Sequence, residues 1–209
     1  MISEALGTSD SDAAIFRSHL QARQDHAGLE LLLIPPFVDY PAFAEPWRVR
    51  AGTIDVLFLA ESPPEPERGW VRYFYRTEDE GSGLAKSLAP LFGVDTRVDG
   101  WKETFLLKFS DRHLFVTDLC ERPVDHLGDR ERKRERQRWA RTLRSRIVVY
   151  RPRAVLTLLK SIDPLVRSEL TGFLMPRTRV KFPPRYGLTT LRRALRELGN
   201  RFDSRGRLL

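Results

Sequence analysis

Cysteine is nearly absent: Cys120 is the only one in 209 residues. A lone thiol excludes a disulfide within the chain, and it excludes a four-cysteine metal or iron–sulfur site. Histidine is scarce too. His19, His26, His113 and His126 show no metal-ligand spacing, so each reads as structural or surface, and no metal or organic cofactor is expected. Asp125, beside His126, has the chemistry to orient its imidazole, although sequence neighbours rarely face each other in a helix. Long apolar runs are missing. The longest ones have the length of buried strands rather than of bilayer spans, so no membrane partner is expected. The stretch from Met1 to Ser11 is polar and acidic with no apolar core, which predicts no signal peptide and a cytoplasmic location. No internal repeat is visible.

What the chain has in excess is positive charge, and it is unevenly placed. The formal net charge is +8. Arg130 to Arg153 holds eleven basic residues and two acids, and Arg177 to Arg207 holds ten and two. The rest of the chain is therefore acidic. Such an asymmetry suits a face that meets a polyanion, because each neutralised phosphate releases counterions. An ordinary solvated, arginine-rich surface is the competing reading.

The length suits one domain with an N-terminal extension, and it can bury a core without staples. Four segments read as strands. Ile54 to Ala60, His113 to Leu119 and Arg153 to Lys160 are apolar along most of their length, as in a parallel strand covered on both faces. Arg177 to Phe182 is a weaker, alternating fourth. Between them lie helical stripes: Leu84, Leu88, Leu91 and Phe92, with Pro90 as a kink or stop; Trp101, Phe105 and Phe109; Trp139, Leu143 and Ile147; and Leu188, Leu191, Leu195 and Leu198. Strands alternating with helices predict an α/β fold, a three-layer sandwich around a central four-stranded, mostly parallel sheet. Residues 1–52 are expected to form an N-terminal helix near Ser11 to Gln24 and an extended wrap over Ile34 to Pro46. Residues 53–200 are expected to form the α/β domain, and 201–209 a polar tail that frays.

Three short segments carry candidate chemistry. The first strand runs out into Ala60-Glu61-Ser62-Pro63-Pro64. Ligands of open α/β sheets bind at the carboxyl ends of strands, and two prolines stiffen this loop. A glutamate there is placed to orient a water or accept a proton; a solvated turn residue is the plain alternative. Tyr73-Phe74-Tyr75 follows, an aromatic cluster that suits base stacking or, equally, a core. Gly81-Ser82-Gly83 then enters the Leu-rich helix, where backbone amides are placed to meet a phosphate. A flexible turn is the alternative.

Taken in order, these segments resemble the uracil-DNA glycosylase superfamily. Its first motif reads Gly-Gln-Asp-Pro-Tyr in one branch and Gly-Glu-Ala-Pro-Gly in the iron–sulfur branch; here it is Ala60-Glu61-Ser62-Pro63-Pro64. A phenylalanine that stacks on uracil follows about a dozen residues on in the family, where Phe74 or Tyr75 stands here. A Gly-rich entry to a Leu-rich helix matches Gly81-Ser82-Gly83-Leu84. The iron–sulfur branch ends its second strand in Thr-Asn before an Arg-Pro, matched by Thr117-Asp118 and Arg122-Pro123. The resemblance covers roughly Ile54 to Arg193. It implies a uracil-DNA glycosylase-like fold, DNA as partner, a monomer, a role in DNA repair, and hydrolysis of a base–sugar bond.

Under that resemblance Glu61 and Ser62 take the catalytic positions. Phe74, Tyr75 and Asp118 hold the base. Ser82, Gly83, Arg122, Arg134, Arg138 and Arg185 meet the nucleic-acid backbone. The departures define the alternatives. Ser62 stands where active branches carry Asp or Asn, and it is no base unaided. The family's His-Pro-Ser motif aligns with Lys181 to Gly187, which has no histidine, leaving Arg185 as the cationic donor. Asp118 replaces the asparagine that reads uracil; an ionised carboxylate offers only acceptors and favours a donor-rich edge such as that of cytosine or guanine. A strand-end turn or helix cap is its plain reading. The competing functions are a non-catalytic nucleic-acid binder that keeps the fold, and a small-molecule binder using the same pocket.

Overall fold

The computed structural model describes residues 38–66, 72–78, 83–180, 188–201 and 203–208. The chain divides into two units, Met1–Phe37 and Val38–Leu209, and every described residue belongs to the second. The helix expected at 11–24, together with His19 and His26, lies outside the described residues, as do Ser82 and Arg185.

The elements run α1 (Tyr40–Ala51), β1 (Val56–Ala60), α2 (Gly83–Leu88), a 3₁₀ turn (Ala89–Phe92), α3 (Trp101–Asp111), β2 (Leu114–Asp118), α4 (Asp129–Tyr150), β3 (Ala154–Thr157), α5 (Asp163–Glu169), β4 (Arg177–Arg179) and α6 (Leu188–Glu197). This is an α/β fold. Its four strands form a parallel sheet in the order β2-β1-β3-β4, with helices packed against it. All five residues of β1 are buried, which requires cover on both faces and explains its unbroken apolar run. The register places Val56 opposite Leu114 and Ala154, and Ala60 opposite Asp118. Pairing continues past the strand: Leu119 N–H donates to Ala60 at 2.9 Å, and Cys120 N–H to Glu61 at 2.8 Å. The ends of β1 and β2 are thereby locked side by side.

Each expected strand is present in shorter form. Three expectations need correction. The expected extended wrap over 34–46 is described only from Val38 on, and there it gives way to a helix, because α1 begins at Tyr40. Asp39 caps it by accepting from the Ala42 N–H at 3.1 Å, and Pro41 sits in the first turn, where a missing N–H costs nothing. Pro46 lies in the interior, a position that usually costs about 3 kcal/mol. Burial of Tyr40, Ala44 and Ala51 against α3 and β2 offsets it. The tail is pinned rather than frayed: Leu208 is buried and its N–H donates to Leu91 at 2.7 Å, while Asp203 accepts from the backbone of Arg205 and Arg207. The inner stripe of α4 is Ala140, Leu143 and Ile147, with Trp139 only half-buried.

The core beneath β1 is aromatic. Phe74 packs edge-on against Tyr75 at 4.8 Å and against Phe105 and Phe109 at 5.8 and 5.5 Å. Tyr75 stacks on Phe115 at 5.3 Å. Such pairs add about 0.5–1.5 kcal/mol each beyond their burial. Pro90 ends α2 at Leu88 and the chain continues as the 3₁₀ turn.

Candidate functional site

The carboxyl ends of β1 and β2 meet in a cleft. Asp118, Glu121, Arg146, Tyr40, Tyr73 and Pro63 are among the residues that line it. Three elements build it. The end of β2 supplies Asp118. α1 supplies Tyr40, whose hydroxyl donates to the Pro64 carbonyl at 2.6 Å and whose ring meets Tyr73 at 5.0 Å. α4 supplies Arg146. The cleft has a volume of about 70 Å³. That holds a few waters, at about 10–15 Å³ each, and falls short of the ~300 Å³ at which small-molecule pockets begin. The edge of a ligand fits there; a whole base does not.

Asp118 is half-buried, and burial pushes its carboxyl up to about 7. Arg146 works against that rise, while Asp125 and Glu61 add to it. The arginine's hydrogen bonds go elsewhere: its two terminal nitrogens donate to the backbone carbonyls of Asp118 and Leu119 at 2.6 and 2.7 Å. Its Nε is buried without a hydrogen-bond partner among the described residues, with Glu121 at 3.9 Å. Asp118 is therefore held in place through its own carbonyl while its carboxyl stays unneutralised.

Glu61 is the opposite case. It is buried at the tip of β1, and Arg132 forks it with Nε and Nη2 at 2.7 Å each. Arg136 adds a second guanidinium on Oε1. Burial alone would raise this carboxyl, but the two arginines outweigh it and hold the group below the usual carboxylate range. Both oxygens are occupied, so the role expected for Glu61, placing a water, is corrected: it anchors β1 to α4. Ser62 donates to Asp125 at 3.1 Å. Asp125 is thus engaged by the serine, and His126 faces Glu65 at 3.3 Å instead.

The aromatic candidates are also corrected. Phe74 and Tyr75 are buried. The Tyr75 hydroxyl donates to the Val116 carbonyl at 3.1 Å and accepts from the Val116 N–H at 2.6 Å. Neither ring has a face left for a base. Tyr73, between them and the cleft, is the triplet's member that lines it.

No protein-family model matches the chain, and no curated protein matches it. Its reading rests on geometry.

The backbone-contact candidates separate. Gly83 is exposed and opens α2, only six residues long. Arg122 is exposed in the loop after β2. Arg134 and Arg138 stand out from α4 with exposed side chains, each 3.9 Å from a glutamate one turn back. With Arg130, Lys133, Arg141 and Arg144, also exposed, they form one face of the helix. Sequence reasoning missed Arg132, Arg136 and Arg146 as interior groups. A signal existed: at i, i+4 and i+8, Arg132, Arg136 and Ala140 share a face, so the buried stripe begins in arginine and calls for an acid.

A wider groove of about 360 Å³ lies apart from the cleft, lined by Thr77, Arg97 and Trp101 among others. No strand end reaches it, and Arg97 is paired with Asp95. Among the described residues no cluster of three or more His, Cys, Asp or Glu is placed to hold a metal, and no helix is long and apolar enough to cross a membrane.

Proposed function

We propose that this chain is a divergent uracil-DNA glycosylase-like protein that binds nucleic acid, with DNA as the first candidate. The exposed face of α4 carries the proposal. Its 22 residues span about 33 Å at 1.5 Å per residue, and six exposed cations line one side of it. Two glutamates neighbour that face, both at the outer limit of pairing. Arg144 also donates to the Glu169 and Thr171 carbonyls and lies over Phe173; among the described residues no such bond holds the others, and exposed arginines of that kind cost little to transfer to phosphates. The parallel sheet, the strand-end cleft and the order of motifs along the chain support the superfamily reading.

Hydrolysis of a base–sugar bond is the second reading, favoured by Asp118. A carboxyl that titrates near 7 at a strand end suits proton transfer at neutral pH. Its neutral form offers one donor and one acceptor, the pattern of asparagine's amide. The base-edge preference then shifts with pH: toward a uracil-like edge below 7, and toward a donor-rich edge above it.

Fluorescence anisotropy with single- and double-stranded oligonucleotides at 50–200 mM salt tests the first reading. Dissociation constants near the ~1–100 μM typical of non-specific binding, with a steep salt slope, are expected. Absence of binding at the lowest salt sinks it. Abasic-site cleavage after incubation with uracil-, hypoxanthine- or xanthine-containing strands tests the second. Product that disappears in Asp118→Ala supports it; no product from any lesion rejects it.

A further inference from the structure

The edge of the sheet opposite the cleft carries a second arginine cluster. Asp163 opens α5 just after β3, with a side chain only 5% exposed. One oxygen, Oδ2, accepts from Arg167 Nε at 2.9 Å and from Arg179 Nη1 at 3.2 Å. Arg179 is the last residue of β4. Unlike their carboxylate, both guanidiniums stand half in solvent, with side chains 55% and 50% exposed. Lys160 is exposed in the same strand-end turn. The cluster therefore holds one shielded acid and two cations, and each arginine spends one hydrogen bond on the acid, its other N–H groups having no hydrogen-bond partner on Asp163.

That differs from a surface ion pair. In an ordinary pair both partners are solvated and neither is fixed. Here one buried carboxylate holds a guanidinium from α5 and one from β4 by a hydrogen bond each, which draws two cations together and lowers the side-chain entropy left to lose when a ligand arrives. Removing the acid from water is costly unless it is paired, and an apolar residue would serve packing alone equally well. The arrangement makes chemical sense as a scaffold that presents two guanidiniums.

The geometry points to Arg167 and Arg179 as a phosphate clamp for the backbone of a nucleic-acid strand lying across the carboxyl ends of the strands. Position supports the choice of ligand. In the order β2-β1-β3-β4 the cleft at β2 and the clamp at β4 are three strand spacings apart, about 14 Å. A stacked strand covers that distance in about four nucleotides at ~3.4 Å each, and an extended one in fewer. A strand with one nucleotide at the cleft thus has a backbone phosphate at the clamp. The inference rests on the nucleic-acid reading above and adds to it a second site, on α5 and β4.

The test uses the full chain, a labelled 12-nucleotide single strand and anisotropy across 50–200 mM salt. Arg167→Gln/Arg179→Gln is expected to weaken binding about tenfold at 50 mM and to flatten the salt slope by about 1–2, independent of sequence. Arg167→Lys/Arg179→Lys keeps the charges but loses the fork, and is expected to weaken binding at least threefold with most of the slope kept. Inorganic phosphate at millimolar level is expected to compete less with the Gln pair than with wild type. If both variants bind within twofold of wild type, the clamp is overturned while the α4 reading stands. If wild type binds no strand at low salt, both fall. Should the Gln pair lose its melting transition, the Lys pair decides alone: a threefold loss supports the clamp, and none overturns it.

Discussion

Two carboxylates end neighbouring strands of one sheet, and their surroundings have driven them apart. Glu61 follows β1 and Asp118 closes β2, where the register pairs Asp118 with Ala60. Arginines from α4 reach both corners. At Glu61, Arg132 and Arg136 spend their forks on the carboxylate itself, and the group stays ionised. At Asp118, Arg146 spends its fork on main-chain carbonyls, and the carboxyl rises to about 7. The same residue type one helix turn or more along thus yields a structural anchor in one place and a titratable group in the other. What separates them is the direction of the N–H groups rather than the nearness of positive charge.

The largest effect that breaks this contrast is expected at Glu61. Replacing it with leucine leaves two partly buried guanidiniums without a counterion. Removing one member of such a cluster costs about 3–5 kcal/mol, read as a lower urea midpoint in denaturation at pH 7. A loss under 1 kcal/mol would show that the anchor is dispensable. The pH dependence has a definite sign. The folded carboxyl lies below its unfolded value of 4.5, so its contribution is complete above about pH 4.5 and fades as pH falls through the folded value. The stability gap between wild type and variant should narrow in acid.

Asp118→Asn is expected to act in the opposite direction and somewhat more weakly. Burial pushes the folded carboxyl up to about 7 from its ordinary 3.8. Folding therefore favours the proton, and ionisation of the folded protein costs stability. That cost is absent below about pH 4, grows between 4 and 7, and is complete above 7. The variant should be up to about 4 kcal/mol more stable than wild type at pH 8 and nearly equal to it at pH 4. Stability curves by denaturant at both pH values check this. A constant difference would mean that Asp118 is ionised throughout.

How far these corners were legible differs for physical reasons. The strands were readable because burial on both faces leaves a continuous apolar signature, as in Val56 to Ala60. Asp118 was readable as a strand-end group in a cleft. Phe74 and Tyr75 were not: an aromatic after a strand-end loop can turn outward or inward, and only Phe105, Phe109 and Phe115, distant in sequence, decide it. The arginines of α4 were counted as one cationic surface because charge sums carry no direction. Helical phase sorts them: Arg132 and Arg136 continue the stripe of Ala140, Leu143 and Ile147, while Arg134 and Arg138 face away from it.

That sorting yields the smallest expected effect on stability. Arg134→Glu/Arg138→Glu alters exposed side chains whose ion partners among the described residues are glutamates at 3.9 Å. Such pairs contribute little, about 0–1 kcal/mol, so the urea midpoint should barely move. Oligonucleotide affinity should nevertheless fall by an order of magnitude or more at 50 mM salt, with a shallower salt slope. The contrast with Glu61→Leu is the informative part: one variant unsettles the fold through inward arginines, the other spares the fold and strips the outward ones of their ligand. If charge reversal left binding intact, the outer face of α4 would be solvated surface, and the cationic excess of this helix would belong wholly to its anchoring of the strand ends.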